Sequence, residues 1–521
     1  MNADQMFANQ FKNLTWQERM RIAAIPNSIK SDSYKYTHDS VYRDDVTAMF
    51  AYGLPRATGV ITTVFGLQQI ILDFLSKPLN QEDVDIFAKL LSVHFGDETF
   101  FNKPMWDKIV NECNGYIPVK IRALPEGIRV QGGITHYTVE TDPKYPEFRQ
   151  LASHVETILL HNWYPSTIAT NSYQMMQSIK GLQAISSDVV SPGFSVVDFG
   201  FRGVPTIENA GVGGLANALY FDASDNIEAV LFNSIVFYNG GVTGYSVRAS
   251  EHVVQTMYGP TALDQAKYID RIIDIWCKEG KIASVVLDGY NLEREVNYVC
   301  KRASRIKESG ARFVCRPDSG NPMVWIPILL KKLAAAFGYV ENCKGYKVLN
   351  NVAVLWGDGI DAHTMQDIGR LVTDLGYSID CLVFGSGGGL LQKVSRDTFS
   401  WAQKGCAYCK TDNVWYPMSK DPITDPGKKS ADGRRGVFVS KITGEVIDVD
   451  IDNQKIDSSE WIDLMQDVYV YSPGMNEPYI RDEKFDNIKA RARSINPIQT
   501  FLKQENLIDL IKFLNTKTTS L

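Results

Sequence analysis

An alternation of short apolar runs with segments of helical spacing between residues 194 and 389 constrains the fold of this chain most. Helix-like patterns such as ALDQAKYIDRIIDIWCKEG lie between the runs, with apolar residues at helical intervals. Strand and helix in repeated succession predict parallel strands joined by crossover helices, and we expect an irregular (β/α) barrel. The seven runs expected to be its strands are FSVVDFGFRG (194–203), IEAVLFNS (227–234), GYSVRASEH (244–252), ASVVLDGYN (283–291), ARFVCRPDSGNP (311–322), VAVLWGDGID (352–361) and CLVFGSGGG (381–389).

The flanking segments carry a different pattern. Upstream, the helix-like DVDIFAKLLSVHF is followed by the alternating, strand-like YIPVKIRALPEGIRVQGG. Downstream, the loop SKDPITDPGKKSADGRRG precedes two hairpin-like strands and an amphipathic helix, LIDLIKFLN. We predict that residues 1–180 form the N-terminal part of an α+β domain, residues 181–395 form the barrel, and residues 396–521 complete the α+β domain.

Composition excludes several classes of protein. The 521 residues carry a net charge of −6 without a block of like charges, which argues against a nucleic-acid or membrane-surface role. The sequence contains no apolar stretch long enough to cross a membrane and no signal-like N-terminus. Among eight cysteines only Cys406 and Cys409 form a CxxC, without the second pair or histidines of a zinc site. We expect a cytoplasmic protein that acts on small molecules.

The glycine run GSGGGL (385–390) follows one of the late predicted strands. Backbone N–H groups at such a turn form an anion-binding concavity, and barrels bind phosphate after their late strands. The run is neither a Walker loop nor a GxGxxG fingerprint. We interpret it as a phosphate site, with a tight barrel turn as the structural alternative.

Other candidate residues lie where the predicted strands end. In CRPDSGNP (315–322), the arginine and aspartate suit a ribose diol or a magnesium-bound pyrophosphate, or they close a loop as an ion pair. In DFGFRG (198–203), an aromatic ring is placed to stack on a planar ligand beside an arginine, and no other kinase motif accompanies the DFG triplet. His252 in SEH is either structural or catalytic, with Glu251 placed to orient its ring. The basic loop from Lys420 to Arg435 is either solvated or a mobile lid over a pyrophosphate.

From these residues alone we expect a barrel enzyme for a phosphorylated, ribose-containing substrate, with the reaction left open. Several stretches also resemble, in order, the nicotinamide phosphoribosyltransferases, the type II phosphoribosyltransferases of pyridine-nucleotide salvage. The matching stretches are SDSYKYTH, ETILLHNWYPSTIATNS, DFGFRG, ASEH, LDGYN, RPDSGNP, GDGID, FGSGGGLLQKVSRD and KDPITDPGK. The resemblance implies a homodimer that joins nicotinamide to phosphoribosyl pyrophosphate and releases nicotinamide mononucleotide and pyrophosphate.

The resemblance also implies roles for individual residues. The catalytic set is His252, the histidine that ATP phosphorylates in this family, with Asp318 and Asp288; Mg²⁺ is expected at Asp288 and Asp318, directly or through water. Nicotinamide is expected between Phe199 and Tyr34 of the partner subunit, with Arg202 and Asp225 on its carboxamide. The residues implied for ribose, phosphate and pyrophosphate are Arg316, Gly357, Asp358, Gly387, Gly388, Arg396, Arg56, Lys404, Lys420 and Lys428.

Three alternatives stay open at this point. Asp225 favours an amide over nicotinate, because a carboxylate repels a second carboxylate. The segment after Arg56 is shorter than in the animal members of the family, and a shortened rim would admit ADP-ribose pyrophosphate and give NAD directly. The third alternative is a binding protein that keeps the fold without catalysis.

Overall fold

The computed structural model describes residues 11–424 and 429–505, so that Lys428 and the helix expected at 507–515 lie outside the described residues. The chain forms two compact units, one of residues 1–167 with 395–521 and the other of residues 168–394. The first unit combines helices with antiparallel sheet, and the second contains a parallel sheet. This confirms the predicted α/β fold with a second α+β domain built from both ends of the chain.

The first unit is held together by a seven-stranded sheet that takes strands from both chain ends. Its order is β16-β15-β1-β5-β3-β20-β21, and β1 pairs antiparallel with β15 along most of its length. A three-stranded sheet, β18-β17-β19, and the pair β2-β4 complete the strands. The bounds are β1 (Val46–Pro55), β2 (Ile61–Thr63), β3 (Lys120–Ala123), β4 (Arg129–Gln131), β5 (Tyr137–Glu140), β15 (Trp401–Lys410), β16 (Trp415–Pro417), β17 (Arg435–Ser440), β18 (Val446–Asp450), β19 (Trp461–Asp463), β20 (Gln466–Val470) and β21 (Tyr479–Ile480).

The helices of this unit follow the predicted pattern where it was strongest. The run DVDIFAKLLSVHF lies in a helix whose first turn is closed by a reciprocal capping box between Asn80 and Asp83. The predicted hairpin after the basic loop is β17 with β18. The helices are α1 (Trp16–Ala23), α2 (Leu67–Phe74), α3 (Gln81–Phe95), α4 (Lys103–Glu112), α5 (Leu151–His154), α6 (Glu156–Leu159), α17 (Phe485–Arg493) and α18 (Pro497–Gln504), while α7 (Trp163–Ser186) contains the division between the units.

The second unit is a parallel sheet of seven strands in the order β7-β6-β14-β13-β10-β9-β8. A parallel bridge between Ala223 and Tyr245 joins β7 to the segment that leads into β8, so that the edges meet as an irregular barrel. The strands are β6 (Val196–Asp198), β7 (Ala223–Ser224), β8 (Arg248–Ala249), β9 (Ile282–Val286), β10 (Arg312–Arg316), β13 (Val352–Trp356) and β14 (Leu382–Ser386), with the separate hairpin β11 (Tyr339–Glu341) and β12 (Lys347–Leu349).

Crossover helices connect these strands, as the helical spacing predicts. The segment ALDQAKYIDRIIDIW is one of them, and its first turn is capped by Thr261. The helices are α8 (Ile207–Ala218), α9 (Ser234–Tyr238), α10 (His252–Thr256), α11 (Ala262–Trp276), α12 (Leu292–Lys301), α13 (Ala303–Glu308), α14 (Pro322–Phe337), α15 (Ala362–Asp374) and α16 (Gly388–Leu391).

The prediction that IEAVLFNS is a strand is wrong. Residues Glu228–Asn233 form a π-helix that continues into α9, and the short strand β7 precedes them. A short apolar run does not by itself distinguish a strand from a buried helix. The π-helix packs closely against two glycines of α8. A Cβ atom on Gly211 would lie 2.1 Å from the Asn233 side chain, and one on Gly214 would lie 2.5 Å from the Ala229 side chain. The six other runs each contain a strand of the sheet.

Candidate functional site

Four charged side chains from three strand ends of the second unit form one hydrogen-bonded network. The Nε2 atom of His252, at the start of α10, lies 3.0 Å from Oδ1 of Asp288, which follows β9. Asp288 Oδ2 accepts the backbone N–H of Asp318 at 2.9 Å and the hydroxyl of Ser319 at 2.5 Å. Arg316, the last residue of β10, donates to Asp318 Oδ2 at 3.2 Å. The barrel thus gathers at one edge the residues that the resemblance implies as catalytic.

Asp288, and not Glu251, is the partner of the His252 ring, which corrects the expectation from the neighbouring residue. The Asp288 side chain is 4% exposed and that of His252 is 47% exposed, so that a buried carboxylate supports an accessible imidazole. With Nε2 directed at the carboxylate, the other ring nitrogen is left without a hydrogen bond within the described part of the chain.

Arg316 and Asp318 carry hydrogen-bonding capacity that the protein itself does not use. Arg316 is 9% exposed, and its Nε is buried without a partner among the described residues. Burial raises the pKa of Asp318, against the lowering effect of the Arg316 charge. A Cβ atom on Gly357 would lie 3.0 Å from Asp318 Oδ1, so glycine keeps this oxygen accessible. A buried donor and an accessible carboxylate oxygen side by side are typical of a polar ligand site.

An apolar cavity of about 350 Å³ runs between the strands of the second unit. Phe199 and Asp225 both line it, and the Arg316 guanidinium lies 5.8 Å from the centre of the Phe199 ring. Asp225 is exposed to the cavity, and its Oδ1 accepts the hydroxyl of Ser246. An aromatic face beside an acceptor in an apolar cavity suits a small planar ring that bears an N–H donor. Arg202 lies in the exposed turn Phe201–Gly203 that follows Phe199.

Neighbouring atoms pack so closely against the glycine run that larger residues would not fit at some of its positions, whether or not a ligand binds there. None of the glycines from 385 to 389 has a positive φ, so left-handed backbone is not the reason for them. A Cβ atom on Gly385 would lie 2.5 Å from the Phe199 ring, and one on Gly389 would lie 2.0 Å from the carbonyl oxygen of Ile360. Gly387 and Gly388 are less crowded, and they open α16, whose first N–H groups have no intrahelical acceptor.

The Gly389→Ala variant tests this packing. The added methyl group collides with backbone rather than with a flexible side chain, so we expect a loss of about 3 kcal/mol of unfolding free energy. Gly181→Ala in α7 is the matched control, because nothing lies within 4 Å of its Cβ position and alanine is the better helix former. Thermal unfolding of both variants is the measurement, and equal melting temperatures would contradict the packing account.

Asp198, at the end of β6, is fully buried beneath the cavity residues. Burial raises its pKa to about 6, although hydrogen bonds from the Gly200 N–H and the Asn226 amide act in the opposite direction. The folded protein therefore holds this proton more tightly than the unfolded chain. The stability contributed by the protonated group is complete below about pH 4 and is lost as pH rises through about 6.

The pH dependence has a direct test in the Asp198→Asn variant, which cannot titrate. We expect the unfolding free energy of the wild-type protein, relative to the variant, to fall by about 2 kcal/mol between pH 4 and pH 7. Urea unfolding of both proteins across this range is the measurement. A constant difference would mean that Asp198 has the same pKa in both states.

Within the first unit, basic side chains from separate segments approach one another. Lys404, on β15, has its pKa lowered first by burial and then by the charges of Arg56, Lys420 and Arg396. Arg56 follows β1 and donates from Nε to the carbonyl oxygen of Ser400 at 2.9 Å. The charges of three predicted phosphate-binding residues therefore act on a fourth, Lys404, while Lys428 lies outside the described residues.

Other parts of the basic loop have partners within the first unit. Arg434 binds Asp452 at 2.6 Å, and Arg435 binds Asp448 at 2.7 Å. These two arginines therefore anchor the start of β17, and they are not free to act as part of a lid. Tyr34 is 57% exposed, so that its ring is accessible to another molecule.

Of the two residues proposed for Mg²⁺, Asp318 is better placed than Asp288 to bind the ion directly. No group of three or more His, Cys, Asp or Glu side chains in residues 11–424 and 429–505 has the geometry of a metal site. Both oxygens of Asp288 already accept hydrogen bonds, which leaves coordination through water, whereas Asp318 Oδ1 is accessible. Mg²⁺ is commonly held by one or two carboxylates together with substrate phosphates, and Asp318 suits this arrangement.

Sequence reasoning missed two supporting residues. Ser319 bonds to Asp288, and Ser246 bonds to Asp225. Both lie inside stretches already singled out, RPDSGNP and GYSVRASEH. The signal was their position within three residues of a strand end or bridge, since Ser319 follows the end of β10 by three residues and Ser246 directly follows the bridge at Tyr245. Serines are too common in loops for that position to have identified them.

The fold is that of a (β/α) barrel, with a polar network at its strand ends and an apolar cavity beside it. The chain belongs to the nicotinate phosphoribosyltransferase (NAPRTase) family, which it matches over residues 194–472. Residues 27–121 match a second family, the nicotinamide phosphoribosyltransferase N-terminal domain. In the part of the chain that the structure describes, no helix is long and apolar enough to cross a membrane.

Individual relatives agree with this assignment. A protein of Xanthomonas campestris pv. campestris (strain 8004) named nicotinamide phosphoribosyltransferase is 35% identical over 474 residues, covering 89% of this chain and 97% of that protein. A protein of the same name from Acinetobacter baylyi is 28% identical over 446 residues, covering 77% and 86%. The crystal structure of human nicotinic acid phosphoribosyltransferase shares the fold, with a TM-score of 0.56 and 15% identity over 89% of this chain and 93% of that one.

Proposed function

We propose that this protein is a nicotinamide phosphoribosyltransferase of NAD salvage. The reaction joins the ring nitrogen of nicotinamide to C1 of phosphoribosyl pyrophosphate and gives nicotinamide mononucleotide and pyrophosphate. One observation carries the proposal: Phe199 and Asp225 line a single cavity whose aromatic wall lies beside Arg316. The names of the relatives in Xanthomonas and Acinetobacter support the same activity.

In this proposal the pyridine ring stacks on Phe199, and Tyr34 of the partner subunit covers its other face. Asp225 accepts the carboxamide N–H, because its Oδ1 is held by Ser246 and its second oxygen is left for the ligand. Arg202 contacts the carboxamide oxygen from the turn that follows Phe199. Nicotinate fits poorly, because its carboxylate would face the carboxylate of Asp225.

The donor is proposed to bind along the adjacent strand ends. Arg316 and Asp318 contact the ribose, and backbone N–H groups at Gly387 and Gly388 contact the 5′-phosphate. The remaining residues proposed for the phosphate groups are Gly357, Asp358, Arg396, Arg56, Lys404, Lys420 and Lys428.

The chemistry requires one bond to form and one to break at C1. The lone pair of the ring nitrogen forms the new bond to C1. The C1–O bond breaks, and its electron pair leaves with pyrophosphate. Positive charge develops on the ribose, so Asp318 is placed to stabilise it while Arg316 fixes the sugar. Mg²⁺, when bound with the donor, would neutralise charge on the departing pyrophosphate, with Asp318 as a direct partner and Asp288 as a partner through water.

His252 is proposed to accept a phosphoryl group from ATP and thereby to stimulate the reaction. Its ring is accessible, and Asp288 holds Nε2, so the lone pair of Nδ1 is available as the nucleophile. Nδ1 would form a bond to the γ-phosphorus of ATP, and ADP would leave. The buried carboxylate stabilises the positive charge that the imidazole ring acquires.

A homodimer is proposed because Tyr34 acts from a partner subunit. The second unit exposes Ile227, Phe232, Ile235 and Val236, with exposed fractions of 52% to 66%, in and beside one helical segment. Concentrated apolar exposure of this kind marks an interaction surface in soluble proteins. We place the protein in the cytoplasm, in keeping with eight cysteines that form no disulfide.

The Val236→Asp variant tests the dimer surface. We expect it to sediment as a monomer and to lose at least about 90% of its activity, since a buried unpaired charge destabilises an interface by several kcal/mol. Val340→Asp, on the hairpin of β11 and β12 with 57% exposure, is the matched control and should sediment as the wild type does. An active monomer would contradict the role of Tyr34 in trans.

The function itself is tested by product analysis. Purified protein is incubated with nicotinamide and Mg²⁺ and with either phosphoribosyl pyrophosphate or ADP-ribose pyrophosphate, each with and without ATP, and the products are identified by mass spectrometry. Nicotinamide mononucleotide from the first donor is the expected product, with a higher rate when ATP is present. NAD from the second donor alone would mean a different ribosyl donor, and absence of pyrophosphate from every mixture would indicate a binding protein.

A further inference from the structure

We infer that Asp198 is a positioning residue that clamps the two pyridine-binding side chains, Phe199 and Asp225, into one arrangement. This inference rests on the proposed function, because it concerns the same pyridine site. Asp198 does not line the cavity, since it is fully buried at the end of β6. Its two oxygens accept one backbone N–H and one side-chain amide, each from a turn that carries a cavity residue.

The two oxygens divide their partners between the two turns. Oδ1 accepts the N–H of Gly200 at 2.7 Å, and Gly200 directly follows Phe199. Oδ2 accepts the side-chain amide of Asn226 at 3.1 Å, and Asn226 directly follows Asp225. One carboxylate thus bridges the turn after β6 and the turn after β7.

The backbone reinforces the same connection. The carbonyl oxygen of Asp198 accepts the N–H of Asp225 at 3.1 Å, and the N–H of Phe199 donates to the carbonyl oxygen of Ser386 at 2.9 Å. Asn226 is itself held, because its amide also donates to the carbonyl oxygen of Ala210 at 2.9 Å. The ring and the carboxylate that face the ligand therefore share a rigid base.

Glycines adjoin both oxygens of the clamp. A Cβ atom on Gly200 would lie 3.0 Å from Asp198 Oδ1, and one on Gly214 would lie 3.0 Å from Oδ2. The carboxylate is therefore enclosed by glycines of two different elements, the turn after β6 and helix α8. A carboxylate is required because both of its partners, the Gly200 N–H and the Asn226 amide, are hydrogen-bond donors. An amide in the same place would direct its own NH₂ group at one of these donors.

The clamp is tested by steady-state kinetics of Asp198→Asn and Asn226→Ala. Each variant should raise the KM for nicotinamide about tenfold and leave the KM for phosphoribosyl pyrophosphate within about twofold, because only the pyridine side is disturbed. The preference for nicotinamide over nicotinate should fall by a similar factor, because Asp225 loses its alignment. Ser378→Ala is the control: it removes a buried hydroxyl that bonds to Asp380 beside the start of β14, and it should leave both KM values unchanged.

The outcomes separate the possible roles. Lower kcat with both KM values unchanged would mean that Asp198 only supports folding, and it would overturn the inference. The same holds if the KM for nicotinamide is unaffected in both variants. If the wild-type protein gives no product from nicotinamide, the proposed function has failed; thermal stabilisation by nicotinamide alone, present in the wild type and weakened in the variants, then still supports the clamp, and equal stabilisation overturns it.

Discussion

The Asp225→Asn variant is expected to lose at least about 100-fold of its preference for nicotinamide over nicotinate. In the proposed complex the carboxylate would form a charge-assisted hydrogen bond with the amide N–H, worth about 1.5–3 kcal/mol, and an asparagine oxygen would replace it only in part. For nicotinate the substitution removes the repulsion between two carboxylates. Nicotinamide turnover should therefore fall about tenfold or more in kcat/KM while nicotinate turnover rises. Competition between the two bases, with product analysis, measures both changes.

Asp367→Asn provides the control for this experiment. Asp367 is an exposed carboxylate on α15, and the substitution changes net charge equally without touching the cavity. Its selectivity should equal that of the wild type. An unchanged preference in Asp225→Asn would show that the carboxamide is recognised by other groups.

The Arg316→Met variant is expected to lower kcat/KM by about 100-fold to 1,000-fold. Methionine keeps the apolar stem but removes a buried guanidinium with an unused donor and leaves Asp318 without its cation. Loss of one donor aimed at developing or bound charge has effects of this size in other enzymes. Arg316→Lys should recover little of the activity, because a single ammonium cannot form the same fork of hydrogen bonds.

Two measurements keep this result interpretable. Arg305→Met removes an exposed arginine from α13 that pairs with Asp270 and Asp274, and its activity should stay within about twofold of the wild type. Thermal unfolding of Arg316→Met distinguishes a damaged site from a damaged fold. A stable Arg316→Met protein with wild-type kinetics would exclude Arg316 from the donor site.

The local sequence pattern was sufficient to predict most strands of the parallel sheet. The strands β9, β10, β13 and β14 are short, largely buried and mostly apolar runs with glycine or charged residues at or just after their carboxyl ends, as expected of strands buried on both faces. The run IEAVLFNS has the same local character, yet it is helical because Gly211 and Gly214 of α8 leave space for it. That space depends on residues outside the run itself, which no window of local sequence contains.

For the site, too, some features could be predicted from the sequence and others required the tertiary structure. For six of the seven runs, the residues at the strand ends could be predicted from local sequence, because the carboxyl-edge rule needs only the order of the elements. The local sequence did not determine their partners: Glu251 adjoins His252 in the chain, but Asp288 lies beside its ring because β8 and β9 are neighbours in the sheet. Likewise, the charges of Arg56, Lys420 and Arg396 act on Lys404 only after the first unit folds. Partnership between charges depends on distance in space, and only the tertiary structure decides that distance.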